Sequence, residues 1–202
     1  MSAIGWTLQR TVAPGTVVTT AELKTHMHET LVDATNDTDI AAFGAAAEDA
    51  IEHELSRALL QQTWVLKLDR FPSCGEIRLP RPPLQSISSI TYLDQGGSPV
   101  TLATDQYTAD TSIEPGRILR PYGVVWPITR TIPNAVTITY VVGAATAGAV
   151  PAALKTAVKL LTAELYANRE RGQADVLTLW RENPTHERLV ASYRISTEFN
   201  YR

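Results

Sequence analysis

Histidines, a single cysteine, helix-spaced carboxylates and tryptophans are the side chains here from which chemistry could be built. A metal needs imidazoles or thiolates converging on one point. His26 and His28 are two apart in a helical segment, which turns them to different faces. His53 stands between Glu52 and Glu54 on a polar face, and His186 falls in the first turn of a late helix, so no metal site is expected. Glu48 with Glu52, and Asp49 with Glu52 or His53, have the spacing of helical neighbours. Paired carboxylates do acid–base work only when burial or a nearby charge shifts a pKa. On an amphipathic helix they read as a solvated face. Cys74, in Phe71-Pro72-Ser73-Cys74-Gly75, has no basic helix end beside it to create a thiolate. Trp64, Trp126 and Trp180 are candidate stacking platforms for bases or sugars. Strand alternation turns Trp64 inward, and Val124-Val125-Trp126-Pro127 reads as core. Phosphate-loop, dinucleotide and nucleophile-elbow patterns are absent from the sequence. No catalytic, cofactor-binding or metal-binding residue is assigned, and no enzymatic activity is expected.

The elements that would position these residues fall into three blocks. Residues 1–18 read as an extended arm. Thr19-Thr20-Ala21-Glu22 fits a capping box, and Leu23, Met27 and Leu31 follow at helical spacing. Asn36-Asp37-Thr38-Asp39 breaks that helix and offers the next N-cap. Ile40, Phe43, Ala47, Ile51, Leu55 and Ala58 then form the narrow apolar seam of a longer helix. From Gln61 the period changes to two. Strands are predicted at 63–69, 77–79, 86–93, 100–102, 106–109, 117–119 and 135–142. The Pro80-Arg81-Pro82-Pro83 run must be an edge or loop, and Asp94-Gln95-Gly96-Gly97 a hairpin-type turn. This spacing predicts a small antiparallel barrel or sandwich. Helix restarts at Val150-Pro151, with the proline at the first helical position, and runs to Gly172 with Leu154, Val158, Leu161 and Leu165 on one stripe. A weaker helix is expected over 174–181 and a last one, capped by Thr185, through Tyr193.

The fold class is therefore α+β. The expected layout is an arm (1–18), a first helical part (19–60), a β insert (61–148), a second helical part (149–194) and a tail (195–202). With 202 residues and 44% hydrophobic content the chain can bury a sizeable core. A net charge of −3 gives no global basic field to draw it onto nucleic acid. The charge is uneven: residues 22–54 hold nine acidic residues and one basic residue, a balance of −8, which leaves +5 elsewhere. Such a split suits head-to-tail packing of identical subunits, and equally a solvated acidic helix. A lone cysteine rules out an intrachain disulfide framework. No apolar run reaches membrane-spanning length and no secretion signal opens the chain, so a cytosolic product with no membrane partner is expected.

Three blocks carry a family resemblance. They are Leu59-Leu60-Gln61-Gln62-Thr63-Trp64, Leu68-Asp69-Arg70-Phe71-Pro72, and Ile77-Arg78-Leu79-Pro80-Arg81-Pro82-Pro83-Leu84-Gln85-Ser86-Ile87. With Pro115-Gly116-Arg117-Ile118, Trp126-Pro127, Ile138 to Gly143, Val150 to Lys155 and Leu165 to Glu170, the chain resembles phage head–tail connector (adaptor) proteins over about residues 37 to 195. Where that family carries Thr-Gly-Arg after the long helix, this chain carries Leu55-Ser56-Arg57, and its N-terminal arm is longer. The resemblance implies a helical connector core with a β insert, in twelve copies below the portal of a long-tailed phage or gene-transfer particle. It implies a virion location at the neck, made in the host cytoplasm. Implied partners are the portal, neighbouring copies and a stopper or tail-terminator protein, with DNA passing through the lumen without sequence-specific binding. A C-terminal segment would grip the portal, and Leu189, Tyr193, Arg194, Phe199 and Tyr201 are the expected anchors, since aromatics and arginine dominate interface energetics. An acidic lumen supplied by the 37–54 helix is a further expectation, and that helix could equally face the neighbouring subunit. The alternatives are a stopper or tail-completion protein, or a carbohydrate-binding or hydrolytic module on the β region.

Overall fold

The computed structural model describes residues 4–28, 34–168, 183–195, 199 and 201. The chain divides into two compact units: residues 1–14, 61–143 and 196–202 form one, and residues 15–60 and 144–195 the other. The helix predicted over 174–181, Trp180, Leu31 and the Gly172 terminus lie outside the described residues.

The helical unit follows its capping signals. Helix α1 (Thr20–His26) opens on Thr19, whose hydroxyl accepts the Glu22 N–H while Glu22 accepts the Thr19 N–H at 2.9 Å. Helix α2 (Asp37–Leu55) ends where Ser56 enters the left-handed region, φ 53° and ψ 35°. That is where the resembling family places glycine, the residue with no Cβ penalty there. Helix α3 (Ala152–Ala167) starts one residue later than expected, with Pro151 at its N-cap. Helix α4 (Pro184–Val190) is capped by Asn183, whose side chain accepts the Thr185 N–H at 2.9 Å. Thr185 is thus the donor to the cap and not the cap itself. One core joins these elements: Leu23, Ile40, Ile51 and Leu55 meet Leu154, Val158, Leu161 and Val190, all with essentially no exposure. Each such side chain contributes about 1.5–3 kcal/mol by leaving water.

The β unit holds two antiparallel sheets. The larger joins β1 (Trp6–Val12), β2 (Gln62–Leu68), β8 (Val136–Val142), β4 (Leu84–Leu93) and β5 (Pro99–Thr101) in the order β1-β2-β8-β4-β5. The smaller joins β3 (Glu76–Arg78), β7 (Arg117–Leu119) and β6 (Thr108–Asp110) in the order β3-β7-β6. Strand β8 is central because it is apolar and β-branched on alternate residues, with Val136, Ile138, Tyr140 and Val142 buried. Of the barrel or sandwich expected, the closed barrel does not form. Strands β1 and β5 are unpaired edges of an open sheet, and β5, only three residues long, offers too short a ladder to close it. Register shifts in β4 between Leu84 and Ser86 and between Ile87 and Ser89 bend that strand. The predicted arm at 1–18 supplies β1, paired residue for residue with β2 from Trp6↔Leu68 to Arg10↔Trp64. Gly116, just before β7, lies so close to β4 that a Cβ there would stand 2.5 Å from Leu84 Cβ.

Candidate docking site

The paired carboxylates are not a solvated face. Glu48 is buried, and its Oε1 accepts the N–H groups of Val17 at 2.7 Å and Val18 at 3.1 Å. Burial pushes its carboxyl up, against the pull of those two donors and with help from the neighbouring Glu52. Glu52 is buried too, and its Oε1 accepts the Leu59 N–H at 2.7 Å. Both act as surrogate caps for backbone that folds over α2, which is why a helical wheel of α2 alone misplaces them. Asp49 and His53 do lie on the exposed side of α2.

His186 is fully buried with Nε2 2.9 Å from Glu54 Oε1. The same oxygen accepts Arg194 Nη2 at 2.8 Å, and Arg194 also reaches Glu187 Oε2 at 3.2 Å. Burial works against ionisation of Glu54, but the hydrogen bonds from His186 and Arg194 outweigh it and hold this carboxyl below its usual range. The Ile195 N–H to Leu55 carbonyl bond, 3.1 Å, fastens the same segment to the end of α2. Among the described residues no group of three or more His, Cys, Asp or Glu is placed to hold a metal ion, and no helix is long and apolar enough to cross a membrane. Cys74 is exposed in its loop.

The five expected anchors fall into two sets. Leu189 and Tyr193 are partly buried against the helical core, and Arg194 is exposed but held by Glu54 and Glu187. Phe199 and Tyr201 belong to the β unit, where both rings meet Trp6 edge to face at centroid distances of 6.4 and 6.1 Å. Tyr201 is buried, donates to the Arg78 carbonyl at 2.6 Å, and accepts the Ile4 N–H at 3.2 Å.

Neither Trp64 nor Trp126 forms an open platform. Trp64 is half-buried, lies under the Arg81 guanidinium at 5.3 Å, and donates Nε1–H to Gln62 at 3.0 Å. Trp126 is buried and stacks on Phe71 at 4.9 Å with the rings 8° from parallel. Its loop is the feature that sequence reasoning missed. Between β7 and β8 the chain exposes Tyr122 completely, Val125 by 76% and Ile128 by 74%, and with Phe71 and Trp126 it walls a cleft of about 760 Å³. Arg70, Arg120 and Arg130 also line that cleft. The signal was present: Pro121, Pro127 and Pro133 keep this apolar stretch from being a strand, so its Val and Ile residues have no sheet in which to be buried.

No family model matches the sequence, and no curated protein matches it either. Solved structures do. The fold is similar to that of a chain in the neck of an empty gene transfer agent (GTA) particle computed with C6 symmetry, with a TM-score of 0.78 and 24% identity over 96% of this chain and 97% of that one. It is similar to a chain in the virion of a native GTA particle, with a TM-score of 0.75 and 23% identity over 95% and 97% of the two chains. A chain in the neck of a native GTA particle computed with C12 symmetry gives a TM-score of 0.72 and 24% identity over 96% and 97%.

Proposed function

We propose that this chain is a structural subunit of a virion neck: a head–tail connector, or adaptor, of which twelve copies form a ring beneath the portal of a phage or gene-transfer particle. The observation that carries the proposal is the shared fold with neck chains over 96% of this chain's length. The side-chain geometry is in keeping with that role: the buried carboxylates cap backbone, and the described histidine contact at Glu54 clamps a segment. In this function the lumen passes DNA without reading its sequence, and the face away from the portal receives a stopper or tail terminator.

The portal contact belongs to the C-terminal segment, with Leu189, Tyr193, Arg194, Phe199 and Tyr201 as its anchors. Tyr201 reaches a partner only by leaving the Arg78 carbonyl and the Trp6 ring, so docking and release of the tail are one event. The test is to mix the full chain with its portal and image the product. A twelve-fold collar that is lost on deleting residues 195–202 supports the proposal. Purified particles without this chain at the neck, or turnover of a small molecule by it, would overturn it.

A further inference from the structure

The β7–β8 loop exposes large apolar side chains that no part of the described chain covers, two of which, Val125 and Ile128, line the cleft, and exposed apolar surface gathered at one place marks a binding surface. Its charge says what it fits. Arg120 and Arg130 stand at the two ends of the apolar stretch, both exposed and, among the described residues, neither in an ion pair. Asp69, the carboxylate in the cleft lining, is already engaged by the Asn134 N–H at 2.9 Å. The surface therefore presents apolar knobs between two unneutralised guanidinium groups. A loop-on-loop contact between copies would set these cations against each other, which disfavours a two-fold pairing. The rest of the same polypeptide offers the opposite sign. The residues of the β unit comprise nine basic and seven acidic side chains, net +2; the helical unit has nine basic and fourteen acidic, and with the buried Lys24, Glu48 and Glu52 set aside the remaining eight and twelve leave net −4.

We infer that the β7–β8 loop of one copy docks on the acidic helical unit of a second copy of this chain, with Tyr122, Val125 and Ile128 as the apolar contacts and Arg120 and Arg130 as the flanking charges. The contact is heterologous, so repetition does not end at a dimer and builds a ring where the rotation between copies closes. This deepens the neck-subunit proposal and rests on it for the ring, while the contact itself can be tested without any particle.

A photo-crosslinking amino acid at Val125 tests it, placed in the full chain and mixed with isotope-labelled full chain so that links between copies are distinguished by mass. Val125 is exposed, so the fold tolerates the replacement, and a thermal melt confirms this. In concentrated solution and in purified particles, the expected products join position 125 to peptides from residues 15–60 or 144–195 of another copy. R120E/R130E lowers their yield about tenfold, as removal and reversal of two steering charges should. Links only to another loop, links only to a different protein, or no link between copies in either preparation overturns the inference. If particles prove to lack the chain, the neck proposal fails, and the concentrated solution alone still decides the contact.

Discussion

Tyr201 donates its phenolic hydrogen to the carbonyl of Arg78 across 2.6 Å, far along the chain from its own position. Tyr140, fully buried on β8, does the same toward the Pro80 carbonyl at 3.2 Å. Burial raises both phenols above their ordinary value; Tyr201 also disfavours ionisation of Tyr140, and Arg81 partly offsets it. A group whose folded pKa is raised stabilises the fold below the unfolded value and loses that contribution as pH climbs through the folded one. The β unit should therefore melt at progressively lower temperature above about pH 10, the unfolded tyrosine value. Tyr201→Phe should flatten that alkaline slope and cost about 1 kcal/mol at neutral pH through the lost hydrogen bond. Thermal melts across pH 7 to 11 read both, and an unchanged slope would sink the idea.

Glu48 and Glu54 should answer to pH with opposite signs. The Glu48 carboxyl is raised, so its contribution is present in acid and lost as pH rises through the folded value. Glu48→Gln keeps an acceptor for Val17 and Val18 and sheds the buried charge, so it should raise the melting temperature at pH 7 and change it little at pH 4. The Glu54 carboxyl is lowered, so its contribution is present near neutrality and lost as pH falls through the folded value. Glu54→Gln should cost about 1.5–3 kcal/mol at pH 7, the range for a hydrogen bond to a charged group, and much less at pH 3. Equal effects of the two substitutions at pH 7 would contradict the geometry.

Ser56 holds a left-handed backbone that glycine adopts without strain. Ser56→Gly should stabilise the helical unit by up to ~1 kcal/mol, less the entropy that glycine gains in the unfolded chain. Urea unfolding measures it; a lowered midpoint would mean that the serine side chain contributes more than the strain removes.

Gly116→Ala should be destabilising by about 1–3 kcal/mol, the usual range for overpacking, because the added methyl would stand 2.5 Å from Leu84 Cβ and 2.7 Å from Leu84 Cδ2. Leu84 Cδ2 can rotate away, but Leu84 Cβ is fixed to the backbone of β4, so backbone is the part that must move. A circular-dichroism melt indistinguishable from the parent would show that the sheet yields freely there.

Local signals were readable where one element decides the outcome. The Thr19–Glu22 box, the alternation of β2 and β8 and the α3 stripe all fold as their sequences read, because each depends on residues within a few positions. What failed to show depends on distant chain. Alternation predicts strands but not whether β1 and β5 meet, so an open sheet and a barrel look alike in sequence. Glu48 and Glu52 look like solvent-facing acids until residues 17–18 and 59 fold over them. The β7–β8 loop was hidden for the converse reason: apolar residues read as core, and only the fold shows that Tyr122, Val125 and Ile128 have nothing of their own to lie against. The expected anchors separated because Tyr193 and Tyr201, close in sequence, are claimed by different units.

The bond between Ile4 and Tyr201 has a bearing on how the molecule is made. A ribosome delivers β1 long before it delivers Tyr201, so the growing polypeptide must carry Trp6 with its aromatic neighbours still missing. Pairing with β2 secures the strand itself once residue 68 has emerged, but the Trp6 ring waits for Phe199 and Tyr201 before its edge contacts are complete. Affinity tags fused close to either residue would disturb that closure.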